Sequence, residues 1–133
     1  MDLPEEVTRF FGGGMRMGYL ATIRPDGFPA VVPLGVMIHE GQITISSPSN
    51  TFKLRNLRAD PHLAICLPDP QDGRRYLMIR GLADVAEDKD LALLDWLARE
   101  HMGLEQFPDR KTARSVVTIR LERFLFGGTH EAD

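Results

Sequence analysis

Residues 45–61 read Ile45-Ser46-Ser47-Pro48-Ser49-Asn50-Thr51-Phe52-Lys53-Leu54-Arg55-Asn56-Leu57-Arg58-Ala59-Asp60-Pro61, and the first half of this stretch gathers side chains able to hold an anion. A strand ends, a turn rich in hydroxyls follows, and a helix begins with a lysine in its first turn. The first N–H groups of a helix have no partner within it, and the helix dipole adds partial positive charge there. Ser49 and Thr51 bring hydroxyl donors, Asn50 stands between them, and Lys53 brings a full charge. Together they form a phosphate cradle that needs no Gly-Lys-Ser/Thr loop. The same residues also suit plain N-capping, with Lys53 solvated. Capping needs only one such residue, whereas here three cluster beside a lysine.

Elsewhere the reactive residue types are scattered. Gly12-Gly13-Gly14 has no following Gly-Lys-Ser/Thr and reads as a helix stop and joint. His39, His62, His101 and His130 are not spaced as metal pairs, and the one cysteine, Cys66, cannot complete a zinc site. No metal is expected. Cys66 lies in the apolar run 63–67 and reads as a buried strand residue. Asp26, Asp69 and Asp72 are turn residues first. Arg74 and Arg75 follow a tight turn, and Trp96 sits beside Leu97 as a packing residue. No Ser-His-Asp triad can be argued from spacing, so no catalytic side chain is named.

The elements that must carry the anion corner follow from periodicity and turn chemistry. A short helix spans 4–11, with Pro4, Glu5 and Glu6 suited to its first turn. Strands are predicted over 17–24, 28–39 and 42–47, separated by Pro25-Asp26-Gly27 and His39-Glu40-Gly41, and they read as an antiparallel meander. Residues 50–59 are helical and stop at Asp60-Pro61. Strands follow at 62–68 and 74–86. Asp88 can cap a helix over 88–102 with Leu91, Leu94, Leu97, Ala98 and Met102 on one face. Residues 103–114 are a polar connection, and the last strand covers 115–126 before a polar tail. Six strands joined mostly by tight turns lack the long crossovers of a parallel sheet. Closure into a barrel hides their edges. A six-stranded barrel fills with its own side chains, so a ligand must bind outside it, in a groove.

Bulk properties set the class. The chain has 133 residues, one domain with one core, and is 43% hydrophobic and 26% charged, as soluble globular proteins are. A net charge of −3 gives no global attraction to nucleic acid or anionic lipid. A single cysteine excludes an internal disulfide. No apolar run approaches the roughly 20 residues of a membrane span, and the acidic start is unlike a signal peptide. A cytoplasmic location is expected.

Several segments together resemble a known family. They are Ala21-Thr22-Ile23-Arg24-Pro25-Asp26-Gly27-Phe28-Pro29 with its following strand, Ile45-Ser46-Ser47, Thr51-Phe52-Lys53, and Asn56-Leu57-Arg58-Ala59-Asp60-Pro61. The chain resembles, over roughly residues 8–127, the pyridoxamine 5′-phosphate oxidase-like split β-barrel superfamily, and is most similar to its short flavin/deazaflavin oxidoreductases. The resemblance implies a mostly β fold, a six-stranded antiparallel split barrel with two or three short helices. It also implies a homodimer with coenzyme F420 or FMN at the interface. Thr51 and Lys53 would hold the cofactor phosphate. Ser46 and Ser47 would meet the ring or ribityl chain. Val32, Pro33 and Leu34 are candidates for the strand along the ring, although Pro33 lacks the N–H that many relatives offer. Tyr76 would reach the partner's site, or else be a barrel-surface tyrosine. The long anionic tail of F420 would want further cations, for which Arg24, Arg55 and Arg58 are candidates. His130 lies near a ligand position of some haem-degrading relatives. Pyridoxal phosphate synthesis is not expected, because the chain lacks the C-terminal extension of the true oxidases. The implied activity is hydride or electron transfer with a small molecule, the cofactor carrying the chemistry. The alternative is a non-catalytic FMN-binding or sensing module.

Overall fold

The computed structural model describes residues 2–128. Six antiparallel strands close into a barrel in the order β1-β2-β3-β6-β5-β4. They are β1 (Arg16–Ile23), β2 (Pro29–His39), β3 (Gln42–Pro48), β4 (His62–Pro68), β5 (Tyr76–Glu87) and β6 (Arg114–Gly127). The helices are α1 (Glu5–Phe11), α2 (Phe52–Ala59) and α3 (Ala92–His101), the last preceded by a 3₁₀ turn, Lys89–Leu91.

Local chemistry sets the turns. After β1, Asp26 Oδ1 accepts from the Phe28 N–H at 3.1 Å, and Arg24 N–H reaches Phe28 O at 2.8 Å. Between β2 and β3, Glu40 and Gly41 both take positive φ, 51° and 76°, the two-residue turn whose twist matches that of paired strands.

The barrel interior is filled by Leu20, Val36, Ile43, Ile45, Ile65, Leu67, Leu77, Ile79, Val117 and Ile119. Val7 and Phe11 of α1 and Leu54 and Leu57 of α2 join the same core. Asn56 Nδ2 donates to Thr22 Oγ1 at 3.1 Å, a buried bond that fastens α2 to β1. The other long helix, α3, packs outside the barrel, where Leu93 and Leu97 meet Met37, with Trp96 and Val116 alongside. Among the described residues no helix is long and apolar enough to cross a membrane.

Some expectations shift. Asp88 does serve α3, its carboxylate accepting from Leu93 N–H at 2.9 Å and Leu94 N–H at 3.0 Å. It does so across the 3₁₀ turn, so the helix starts four residues later than predicted. Leu91 takes positive φ at its N-cap, Met102 is exposed, and the buried face is Leu93, Leu94, Leu97 and Ala98. Arg74 and Arg75 precede β5 rather than opening it. Cys66 is half-buried on the outer face of β4, not in the core, because Leu63, Ile65 and Leu67 take the inward positions. His130 lies outside the described residues.

Candidate functional site

The barrel is split beside β2. Strand β1 pairs with β2 from Pro29 to Val36, but β3 pairs with it only at Met37, Ile38 and His39. Among the described residues, β2 therefore has no ladder partner on its second edge along residues 29–35. Antiparallel ladders alternate the direction of their backbone groups. The Arg24 to Phe28 bond sets the phase. It turns Ala30, Val32, Leu34 and Val36 towards β1 and leaves the backbone of Val31, Pro33 and Gly35 facing the gap. The side chains of Val32 and Leu34 pack against the core. Of the three strand candidates, only Pro33 is on the open edge, and it offers a carbonyl without an N–H. Val31 and Gly35 supply the N–H groups there, which the sequence reading missed. The same alternation, carried from the Glu40-Gly41 turn along β3, aims the backbone of Ser46 at the gap.

The end of β3 and the start of α2 form the corner predicted to hold an anion. Ser46 and Ser47 point to opposite faces. Ser47 is buried, with its hydroxyl on Pro48 O at 2.9 Å and 3.5 Å from Thr51 Oγ1. Ser49 Oγ is bonded to Ser115 Oγ at 2.8 Å. Thr51 is the N-cap residue of α2, yet its side chain makes no capping bond, and no acidic residue occupies the first turn. The plain-capping alternative thus lacks its hydrogen bond. Asn50 is exposed beside it. Lys53 is half-buried, and its ammonium is held below the usual lysine range, first by burial and then by the charge of Arg114.

Arg114 is the residue that sequence reasoning missed. Position 114 pairs with Pro48 at the start of β6, and its Nη2 donates to Ser46 Oγ at 3.0 Å. Its Nε is buried and has no hydrogen-bond partner among the described residues. Burial lowers the guanidinium pKa, partly offset by Asp88 and Asp109. Two neighbouring cations, both partly removed from water, are an unfavourable arrangement until an anion joins them. The orphan Nε, the uncapped helix start and Lys53 fit a phosphate, whose several oxygens accept from all three.

Arg58 and Tyr76 stand apart from this corner, and Arg24 and Arg55 are turned to neighbouring side chains. Arg58 is exposed in the last turn of α2, the end opposite Thr51. Arg24 is engaged by Asp26, and Arg55 lies 4.4 Å from the Phe52 ring centre. Tyr76 opens β5, whereas it is the far end of β5, at Glu87, that pairs with Ser115. Its ring packs on Gly127, where a Cβ would come within 2.6 Å of it. A separate cavity of about 820 Å³, lined by Leu3, Gln42, Leu82 and Ile119 among others, contains none of the corner residues. Among the described residues no cluster of His, Cys, Asp and Glu could hold a metal.

An apolar row crosses the outer surface. Pro33 faces Tyr19, Tyr19 faces Cys66, Cys66 faces Met78, and Met78 faces Leu125, on five successive strands. Tyr19 and Leu125 in the row, and Met17 and Val31 two residues from Tyr19 and Pro33 on the same strands, are each about half or more exposed. Contiguous exposed apolar surface of this kind marks interaction sites.

A profile of the pyridoxamine 5′-phosphate oxidase family matches residues 3–126. A solved structure described as an F420 reductase is 30% identical with a TM-score of 0.78, over 92% of this chain and 98% of that one. A conserved hypothetical protein from Mycobacterium tuberculosis is 24% identical with a TM-score of 0.69, over 93% and 84%. The General Stress Protein 26 from Bacillus anthracis is 20% identical with a TM-score of 0.69, over 92% and 91%; these last two share the fold. No curated protein sequence matches this chain.

Proposed function

The chain belongs to the pyridoxamine 5′-phosphate oxidase family, and from that premise we propose that it is a cytoplasmic homodimer that binds coenzyme F420 and transfers hydride between it and a small molecule. The observation that carries this reading is the pairing of Lys53 with Arg114, whose buried Nε has no partner, at an uncapped helix start. The likeness to an F420 reductase supports the deazaflavin over FMN.

In this reading Thr51, Lys53 and Arg114 hold the phosphate. The open edge of β2, through the Val31 and Gly35 N–H groups and the Pro33 carbonyl, would hold the ring, together with Ser46 on the other side of the gap. When bound, the deazaflavin supplies the hydride chemistry, and the protein needs no general acid or base of its own. The chain's residues orient the ring and keep water from one of its faces. The apolar row through Tyr19 and Met78 is the surface against which a second copy packs, and Tyr76 then reaches the partner's site.

The test is titration of the protein with F420 and with FMN, followed by ligand fluorescence. F420 should saturate one site per chain, FMN should bind more weakly, and reduced F420 should be reoxidised by an acceptor from a nitro- or enone-bearing panel. Tighter binding of FMN refutes the F420 assignment, and no binding of either refutes the site. Tyr19→Glu should turn the dimer into monomers in sedimentation.

A further inference from the structure

Residues 102–113 join α3 to β6 without forming a helix or strand, yet one carboxylate fastens them. Asp95, on α3, accepts from the Phe107 N–H at 3.0 Å, and Arg110 forks onto both of its oxygens. Arg110 Nη1 also donates to Phe107 O at 3.2 Å, which closes the turn 107–110. A forked arginine–carboxylate pair fixes direction as well as distance. The Asp95 side chain is only 15% exposed, so water screens this pair less than one at the open surface.

The fastened loop ends beside the phosphate corner. Ser49 N–H donates to Ala113 O at 2.8 Å, and the next residue is Arg114. The Phe107 ring centre lies 5.9 Å from the Arg114 guanidinium carbon, within reach of a cation–π contact. Phe107 is half-buried, whereas its neighbours Gln106 and Pro108 are exposed. Asp109, also in this loop, attracts the guanidinium. Its oxygens, however, accept from the Lys111 and Thr112 N–H groups and from the Thr112 hydroxyl. The loop thus lays a ring on Arg114 and keeps its own carboxylate engaged, which leaves the buried Nε to an outside anion.

We propose that Asp95 is a positioning residue for the phosphate, acting through Phe107 on Arg114. By fixing the 107–110 turn it holds the ring against the guanidinium, and the ring together with the Ser46 bond sets the guanidinium in one direction. Held so, the arginine has little freedom left to lose when a phosphate arrives. Released, it gains rotamers that point away from the corner, and binding must freeze them out. The inference rests on the reading of the corner as a phosphate site. It adds that affinity there is set from α3, an element that carries none of the corner residues.

A double-mutant cycle tests it, by fluorescence titration of the full-length protein with F420. Asp95→Ala should lower F420 affinity by about tenfold. Phe107→Leu, which keeps the apolar bulk and removes the ring, should lower it by about two- to fivefold. In an Arg114→Met background each should change affinity by less than about twofold, because the residue acted through is gone. Neither should alter the affinity of the phosphate-free ring-and-ribityl fragment of F420, which a general loosening of the fold would weaken as well. Equal losses with and without Arg114, equal losses for F420 and the fragment, or wild-type affinity in both single variants would overturn the inference alone. Absence of F420 binding by the wild type would overturn the phosphate reading and this inference with it.

Discussion

Replacing Arg114 by Met separates a ligand-holding arginine from a structural one. Methionine keeps an unbranched apolar stem and removes every donor. A charge-assisted hydrogen bond to a phosphate is worth roughly 1.5–3 kcal/mol, and about 1.4 kcal/mol is a decade in affinity. F420 affinity should therefore fall by about one to two decades. The effect on the protein without ligand should be different. The variant loses the 3.0 Å bond to Ser46, worth about 1 kcal/mol. It also loses a buried Nε with no partner, whose desolvation costs about 1–3 kcal/mol, and a cation that disfavours charge on Lys53. The attraction of Asp88 and Asp109 for the guanidinium is lost as well; these effects oppose one another, so the melting temperature should change little. Fluorescence titration and thermal unfolding of the same preparation measure both quantities. A marked drop in melting temperature with unchanged F420 affinity would refute the reasoning and make Arg114 a structural residue.

Three further outcomes follow from the packing and the charges. Gly81→Ala places a Cβ against Arg120 O and within 2.9 Å of Ile119; overpacking of this kind costs about 1–3 kcal/mol, and thermal unfolding should show a drop of several degrees. Asp88→Ala removes the acceptor of two α3 N–H groups and should cost about 1–2 kcal/mol by denaturant unfolding. Lys53 is charged at a cost in the folded state, since its pKa is lowered first by burial. Stability without ligand should therefore rise as pH climbs through its lowered folded pKa towards the ordinary lysine range. Phosphate-dependent affinity should fall in that same window, and Lys53→Met should abolish both trends.

Much of the fold was legible because turns and helix stops are local. Pro25-Asp26-Gly27, Glu40-Gly41 and Asp60-Pro61 bound the strands and α2 close to the predicted limits. Facing was less legible where apolar residues run without a break. Residues 28–38 and 63–67 contain no charged or hydrogen-bonding polar side chain to mark the outward side, so Val32 and Leu34 could not be told from Pro33, nor Cys66 from a core position. Ser46 and Ser47 are adjacent in sequence, and their separation onto opposite faces is the period of two itself. The larger gap was Arg114. It reads as the last residue of a polar connection, and only the long-range pairing of β6 with β3 brings it to Ser46 and Lys53. A pattern read along one strand carries no signal for which strand lies beside it.

The phosphate claim is tested most directly by comparing F420 with its phosphate-free ring-and-ribityl fragment, on wild type and on Lys53→Ala, by the same titration. The wild type should prefer intact F420 by at least about one decade, and Lys53→Ala should erase most of that preference while binding the fragment as the wild type does. Equal affinity of the wild type for both ligands, or an undiminished preference in the variant, would contradict the account.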